Sequence, residues 1–325
     1  MSRRGPRDWA TAREVLETLV RHQSPGGARI ELGRVTYVGS GLCREAFAAN
    51  VELVPDANQL SGTWVVLLPC SDDAAENASR CSRELQVLAA LQQRQLPFRT
   101  PRPLGVLPVA RGAALVRQFI PGVPLDLRAG RQPSLRPWEV VAEIAAGIHA
   151  LDTGEFTSIF SDAPATRREH AQRELRVLET LQLTEARDAA AWAAEHLPPN
   201  DPASLLYGDL LGQNILIDPS DPRPFAAMDW AESSIGDPAY DLAIVTRGVR
   251  QPFQTGGGLN LLLDAYAELR GSDAVKREHV RLHELCFAAG CCKLAMGSKP
   301  NSGYESVDDA IARLRRVLSM ATGWG

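Results

Sequence analysis

Short β-rich segments fill residues 32–119 of the chain, and helical patterns fill nearly everything after residue 120. That division constrains the fold more than any single motif. Three segments come first: RVTYVGSG, then AFAANVELV, then TWVVLLP. A glycine pair (Gly39, Gly41) and the polar stretch 56–62 separate them. Gly, Asn and Asp mark such turns. A helical pattern over 73–95 follows, with Leu85, Leu88 and Leu91 on its apolar side, and two more strands fit 103–108 and 113–119. The first 120 residues therefore predict a five-stranded antiparallel sheet with one helix inserted after the third strand. A helix over 7–22 precedes them, with Trp9, Val15, Leu16, Leu19 and Val20 on one side, and the sequence GGAR at 26–29 ends it.

Beyond the turn-rich connector 121–127, apolar residues recur at helical spacing, as in Trp138, Val141, Ala145 and Ile148. Further helical patterns cover 165–182, 184–196, 258–270, 274–297 and 306–320. Ser306 stands three residues before Asp309, a loose capping box for the last of them. Only 205–230 interrupts this half, with two short apolar strands. The predicted class is α+β, with one domain over 1–120 and a second, mainly helical, over 121–325.

Composition sets the outer limits. A net charge of −4 argues against a nucleic-acid-binding face, which needs a concentrated basic stripe. There is no run of apolar residues long enough for a membrane helix, and the basic N-terminus lacks the apolar core of a signal peptide. The expectation is a cytoplasmic protein with no membrane partner. The six cysteines show no CxxC pairing and read as thiols in a reducing compartment. Only three basic residues are lysine, at 276, 293 and 299, so the first 275 residues contain none.

The stretch LLYGDLLGQNILID at 205–218 carries the chemistry. Phosphoryl transfer to an alcohol needs a carboxylate to orient the hydroxyl and take its proton. It also needs hard oxygen ligands for a divalent cation. Asp209 fits the first role, and Asn214 and Asp229 fit the second. A short turn between the two apolar strands would bring Asn214 and Asp229 together near Asp209. The Asp-to-Asn spacing agrees with the catalytic loop of protein kinases, where a later Asp binds metal.

Together these motifs resemble the aminoglycoside phosphotransferase family, the small-molecule branch of the protein-kinase-like fold. That family carries His-Gly-Asp-x-x-x-x-Asn, then Ile-Asp-Trp, then Gly-Asp-Pro-x-x-Asp-Leu-Ala. Here the three stand as Tyr207-Gly208-Asp209 through Asn214, Met228-Asp229-Trp230, and Gly236-Asp237-Pro238 through Asp241-Leu242-Ala243. The resemblance implies a bilobal kinase-like fold and transfer of the γ-phosphoryl of ATP, with GTP as the alternative nucleotide, to a hydroxyl of a small molecule. It implies Mg²⁺ as the metal, Tyr207 as support of the loop, and Asp241 as its brace. It places the phosphates under Gly39, Ser40 and Gly41, and the adenine against the connector at Arg117, Gln118, Phe119 and Ile120, whose backbone groups would bond to it. It makes Glu84 the helix carboxylate that holds a phosphate-binding lysine.

That lysine is missing. The family pattern Val-Val-Lys-Leu-Pro stands here as Val65-Val66-Leu67-Leu68-Pro69. Arg44, inside the glycine-rich turn, is the nearest replacement cation, ahead of Arg80 and Arg83 on the following helix. The alternatives are a pseudokinase that binds nucleotide or a protein partner, and nucleotidyl transfer. Substrates of the family are hydroxylated and some are cationic, so the acidic residues Glu232, Asp264, Glu268 and Glu284 are candidate contacts. The stretch 251–258 reads as a loop able to close over a substrate.

Overall fold

A computed structural model describes residues 8–24, 29–41, 43–56, 59–127, 135–246, 252–297 and 305–323. The chain separates into two compact units. Ser2–Val123 with Asp218–Ala231 forms one, and Pro124–Ile217 with Glu232–Gly325 forms the other.

The first unit is built on an antiparallel sheet of β1 (Arg29–Leu32), β2 (Thr36–Ser40), β3 (Arg44–Val54), β4 (Gly62–Pro69), β5 (Pro103–Val109) and β6 (Gly112–Gln118). The strand order is β1-β3-β4-β6-β5, and β2 also pairs with β3. This is one strand more than the five expected. The added strand β1, Arg-Ile-Glu-Leu, alternates cleanly but is only four residues long, too short for the pattern to stand out in the sequence. It exists because β3 outruns β2. Thr36–Ser40 pairs with β3 only as far as Ala48, and β1 takes the remaining end from Val51 to Val54.

The two sheet faces are covered by different helices. Phe47, Ala49 and Val51 on β3 and Trp64, Val66 and Leu68 on β4 pack in one core with α1 (Trp9–Gln23), through its residues Val15, Leu16, Leu19 and Val20. The alternate residues Ala48, Val65, Leu67 and Leu115 form a second core with Cys81 of α2 (Ala74–Leu91). A period of two along each strand produces both cores from one ladder. Residues 218–231 belong to this unit because Arg99 and the strand Phe225–Ala227 bond through their backbones in both directions, Arg99 N to Phe225 O at 2.8 Å and Ala227 N to Arg99 O at 2.9 Å.

The second unit is mainly helical: α3 (Pro137–His149), α4 (Arg167–Glu179), α5 (Thr184–Glu195), α6 (Ala239–Thr246), α7 (Gly258–Arg270), α8 (Arg277–Gly297) and α9 (Val307–Thr322). Leu178, Ala186, Ala189, Leu285, Ala289 and Leu314 make the core of α4, α5, α8 and α9. Ser306 caps α9, its hydroxyl accepting from Asp309 N at 3.1 Å. The sequence pattern does not announce α6, because nearly every residue of it is buried and no amphipathic period remains. Two three-residue strands, Ser204–Leu206 and Ser234–Gly236, pair antiparallel beside it. Pro252–Gln254 forms a 3-10 turn and Gly258 already begins α7, so the expected loop is largely ordered into turns; Gln251 lies outside the described residues. No helix among the described residues is long and apolar enough to cross a membrane.

Candidate active site

In the helical unit the Asp209 loop starts directly after the strand Ser204–Leu206 and ends in a 3-10 turn, Gly212–Asn214. Asn214 is buried and its Nδ2 donates twice to Asp209, to the backbone O at 3.0 Å and to Oδ2 at 2.8 Å. The five-residue spacing therefore has a physical reason. One turn of chain brings the amide back onto the carboxylate and fixes its orientation. With Nδ2 used in this way, Asn214 Oδ1 is the atom available as an oxygen ligand.

The loop is held from beneath by Asp241, in the first turn of α6. Its two oxygens accept the backbone N–H groups of Tyr207 and Gly208, each at 2.8 Å. His149, from α3, reaches the same carboxylate through Nε2 at 3.0 Å and meets Tyr266 Oη through Nδ1 at 2.9 Å. All these groups are buried, and a buried polar chain that is satisfied throughout holds a single geometry. Sequence reasoning found Tyr207 and Asp241 but missed His149 and Tyr266. The signal for His149 was present: a histidine ending an otherwise apolar helix face.

Gly208 is the tightest point of the loop. Its φ is +84°, and a Cβ there would lie 1.9 Å from the backbone O of Glu232. The Gly208→Ala variant should lose at least about 2 kcal/mol of stability from the left-handed backbone and the clash together. A urea unfolding series measures it, and an unchanged midpoint would mean that the loop relaxes freely.

A second buried cluster flanks the first. Asp237 accepts from Arg167 Nε at 2.7 Å and lies 3.2 Å from His283 Nε2. Its own N–H donates to His170 Nδ1 at 3.2 Å. Burial alone would raise the Asp237 carboxyl, but His283 and Arg167 outweigh it and hold it well below the usual range. Burial first, and then the neighbouring His283, pushes His170 down to about 3. The unfolded chain therefore binds a proton at position 170 from about pH 6.5 downward, while the folded chain refuses it. Stability should fall by on the order of 1 kcal/mol per pH unit between about pH 6 and pH 4. Urea midpoints across that window measure the slope, and His170→Asn should flatten it.

In the sheet unit, Arg44 opens β3 and forms an ion pair with Glu84 of α2, whose side chain is fully buried. Burial works against the Arg44 charge, but Glu84, Cys81 and Asp229 offset it and keep the guanidinium protonated. Glu84 Oε1 also accepts the N–H of Trp230 at 3.4 Å, next to Asp229. Arg117 Nη1 donates to Met228 O at 2.7 Å on the other side of Asp229. Arg117, which the family resemblance places in the nucleotide connector through its backbone, here supports the site with its side chain.

The position of the family's strand lysine is held by Leu67. Leu67 sits opposite Ala46 in the β3–β4 ladder, and Arg44 sits opposite Pro69. Arg44 and Leu67 therefore belong to the same face of the sheet. Leu67 fills the apolar core under α2, and the cation that meets Glu84 comes from the neighbouring strand. Arg80 instead pairs with Glu76 at 3.8 Å, and Arg83 is half-buried.

Gly39 and Ser40 lie on β2 opposite Ala46 and Glu45, and the side of Gly39 where a Cβ would stand is open. The N–H of Gly41 is bonded to Arg44 O at 2.9 Å, closing the turn. In the connector, Gln118 N bonds to Arg102 O at 2.9 Å and Phe119 N to Thr63 O at 2.8 Å, so these two amides serve the sheet. Phe119 is exposed and Ile120 is buried.

Of the acidic candidates, Glu232, Asp264 and Glu268 are exposed, the last two one turn apart on α7. Glu284 is corrected. It is buried on α8, accepts from Thr246 Oγ1 and pairs with Arg281, so it is committed to the core.

Comparison with known proteins bears on the family and the fold. The sequence profile of the phosphotransferase enzyme family matches residues 51–276. Viomycin phosphotransferase of Streptomyces vinaceus is 30% identical over 265 residues, 72% of this chain and 78% of that protein. Among solved structures, the GDP complex of wild-type aminoglycoside 2'-phosphotransferase-IIIa superposes with a TM-score of 0.63 at 14% identity, covering 94% of this chain and 98% of that one. The macrolide 2'-phosphotransferase MphH from Brachybacterium faecium gives 0.59 at 20% identity, covering 97% of each chain. The kinase-like fold of those enzymes is the fold found here, and the chain belongs to the phosphotransferase enzyme family.

Proposed function

We propose that the protein is an ATP-dependent kinase of a small hydroxylated molecule. The observation that carries this reading is the Arg44–Glu84 pair. It supplies, from a different strand, the carboxylate-held cation that triphosphate binding needs. A guanidinium suits phosphate oxygens well, since its donors form a planar fork.

Asp209 then orients the substrate hydroxyl and takes its proton as the γ-phosphoryl moves to the oxygen. Asn214 keeps that carboxylate aimed through its Nδ2 contacts. Arg44 offsets phosphate charge, and the backbone of Gly39 and Ser40 approaches the phosphates. Asn214 Oδ1 and the Asp229 carboxylate are hard oxygen donors of the kind Mg²⁺ takes. No cluster of three or more His, Cys, Asp or Glu that could hold a metal occurs among the described residues. Mg²⁺ in phosphoryl-transfer sites is commonly held by one or two protein oxygens, with water and phosphate completing its shell. When bound, Mg²⁺ would neutralise phosphate charge. Exposed Glu232, Asp264 and Glu268 favour a substrate with cationic groups, as in aminoglycosides.

Calorimetric titration with ATP, with and without Mg²⁺, tests the reading. Saturable, metal-dependent binding is expected, followed by a gain of one phosphate in the mass of an accepted substrate. Absence of binding to both ATP and GTP at millimolar concentration would turn the assignment to a partner-binding pseudokinase. A gain of nucleotide mass would turn it to nucleotidyl transfer.

A further inference from the structure

The six cysteines are all thiols, and they differ sharply in setting. Burial pushes Cys81, Cys286 and Cys292 up, away from the thiolate that does chemistry. Cys291 adjoins Cys292 on α8 and cannot readily bridge to it. Cys43 and Cys70 are another matter. Cys43 is exposed, in the turn between β2 and β3, and Cys70 is half-buried just after β4.

The ladder brings the two together. Glu45 pairs with Leu68 and Arg44 with Pro69, so the next rung is Cys43 with Cys70. One of that rung's two backbone bonds is made: Cys70 N donates to Cys43 O at 2.9 Å, just past the end of the paired strands. Partners on a hydrogen-bonded antiparallel rung have Cα atoms about 5.5 Å apart and side chains on one face. Disulfides form at Cα separations of about 4.4–6.8 Å. Arg80 Nη1 also contacts Cys43 Sγ at 3.8 Å.

We infer that Cys43 and Cys70 are a reversible redox site, which a low-molecular-weight disulfide converts to an intrachain bridge that staples the glycine-rich turn to the end of β4. The exposed Cys43 thiolate attacks one sulfur of the small disulfide and expels one thiolate. Cys70 then attacks the Cys43 sulfur of the mixed disulfide and expels the second. Both protons pass to the released thiols, so two protein thiols and one small disulfide give one bridge and two small thiols. The staple sits one residue from Arg44, so closing it immobilises the turn beside the proposed phosphate cation. Only this last consequence, slower nucleotide exchange, rests on the phosphotransferase reading.

The test uses the full chain, freed of reductant and treated with glutathione disulfide. Trypsin releases Cys43 in peptide 35–44 and Cys70 in peptide 45–80, each with no other cysteine. The expected result is a loss of two hydrogens from the intact mass and one linked pair of these peptides, reversed by dithiothreitol and absent in Cys43→Ser and Cys70→Ser. Glutathione adducts without the linked pair, or bridges confined to other cysteines, would overturn the site. Release of a fluorescent ATP analogue should slow severalfold on oxidation of the wild type and not in Cys70→Ser. An unchanged rate would remove the gating role. A protein that links these peptides but binds no nucleotide in either state would instead sink the kinase reading and leave the site standing.

Discussion

Replacing Asp209 by Asn should lower kcat by about 10²–10⁴-fold, the range over which a positioned general base contributes. The fold should survive. The substitution keeps the size of the side chain, and an amide oxygen can still accept from Asn214 Nδ2, now 2.8 Å from Asp209 Oδ2. The loop backbone is fixed independently, by Asp241 beneath Tyr207 and Gly208. Nucleotide affinity should therefore change little while turnover collapses, a split that a merely structural residue would not produce. Initial rates on an accepted substrate, with a thermal melt alongside, decide it. Turnover equal to wild type would remove Asp209 from the mechanism.

The second large effect is expected at Arg44. Arg44→Ala leaves Glu84 with a fully buried carboxylate and no cation, and breaking a buried pair from one side typically costs about 3–5 kcal/mol. The variant should be destabilised on that scale and should bind ATP much more weakly. Stability alone would not separate a nucleotide-binding role from a structural one. The double variant Arg44→Ala with Leu67→Lys does. It returns a cation to the same face of the sheet from β4, at the rung opposite Ala46. Recovery of ATP affinity in the double variant, measured by calorimetry, is the expected outcome. If stability returned and affinity did not, Arg44 would be only a partner of Glu84.

Much of this protein can be read from its sequence, for reasons that differ by element. The sheet unit was legible because its strands are short apolar runs bounded by glycine and polar turns and its helices have clear apolar sides. β1 was not, since its existence depends on the unpaired end of a longer strand. The Asp209–Asn214 contact was legible because a fixed spacing produces it within one turn. Tyr266 and the side-chain role of Arg117 were not, because each meets a residue more than 100 positions away. His149 carried a local signal, a histidine ending an apolar helix face, but its partner Asp241 lies 92 positions on and no local pattern names it. Glu284 shows the opposite failure. A helix carboxylate looks like surface charge until its partners Thr246 and Arg281 are known. At position 67 the sequence shows the gap and offers Arg44 as the nearest cation, and the pairing of Arg44 with Glu84 is what the structure adds.

Glu84 receives both Arg44 and the N–H of Trp230. One side chain thus fixes a requirement of reach and charge, and not of address. Any position on that face of the sheet from which a long basic side chain can span to the carboxylate satisfies it. If the proposed role of Arg44 holds, a lysine at one alignment column is too narrow a criterion for a nucleotide pocket of this kind. Searching instead for the buried helix carboxylate, and then for whichever cation meets it, would sort such chains by their chemistry.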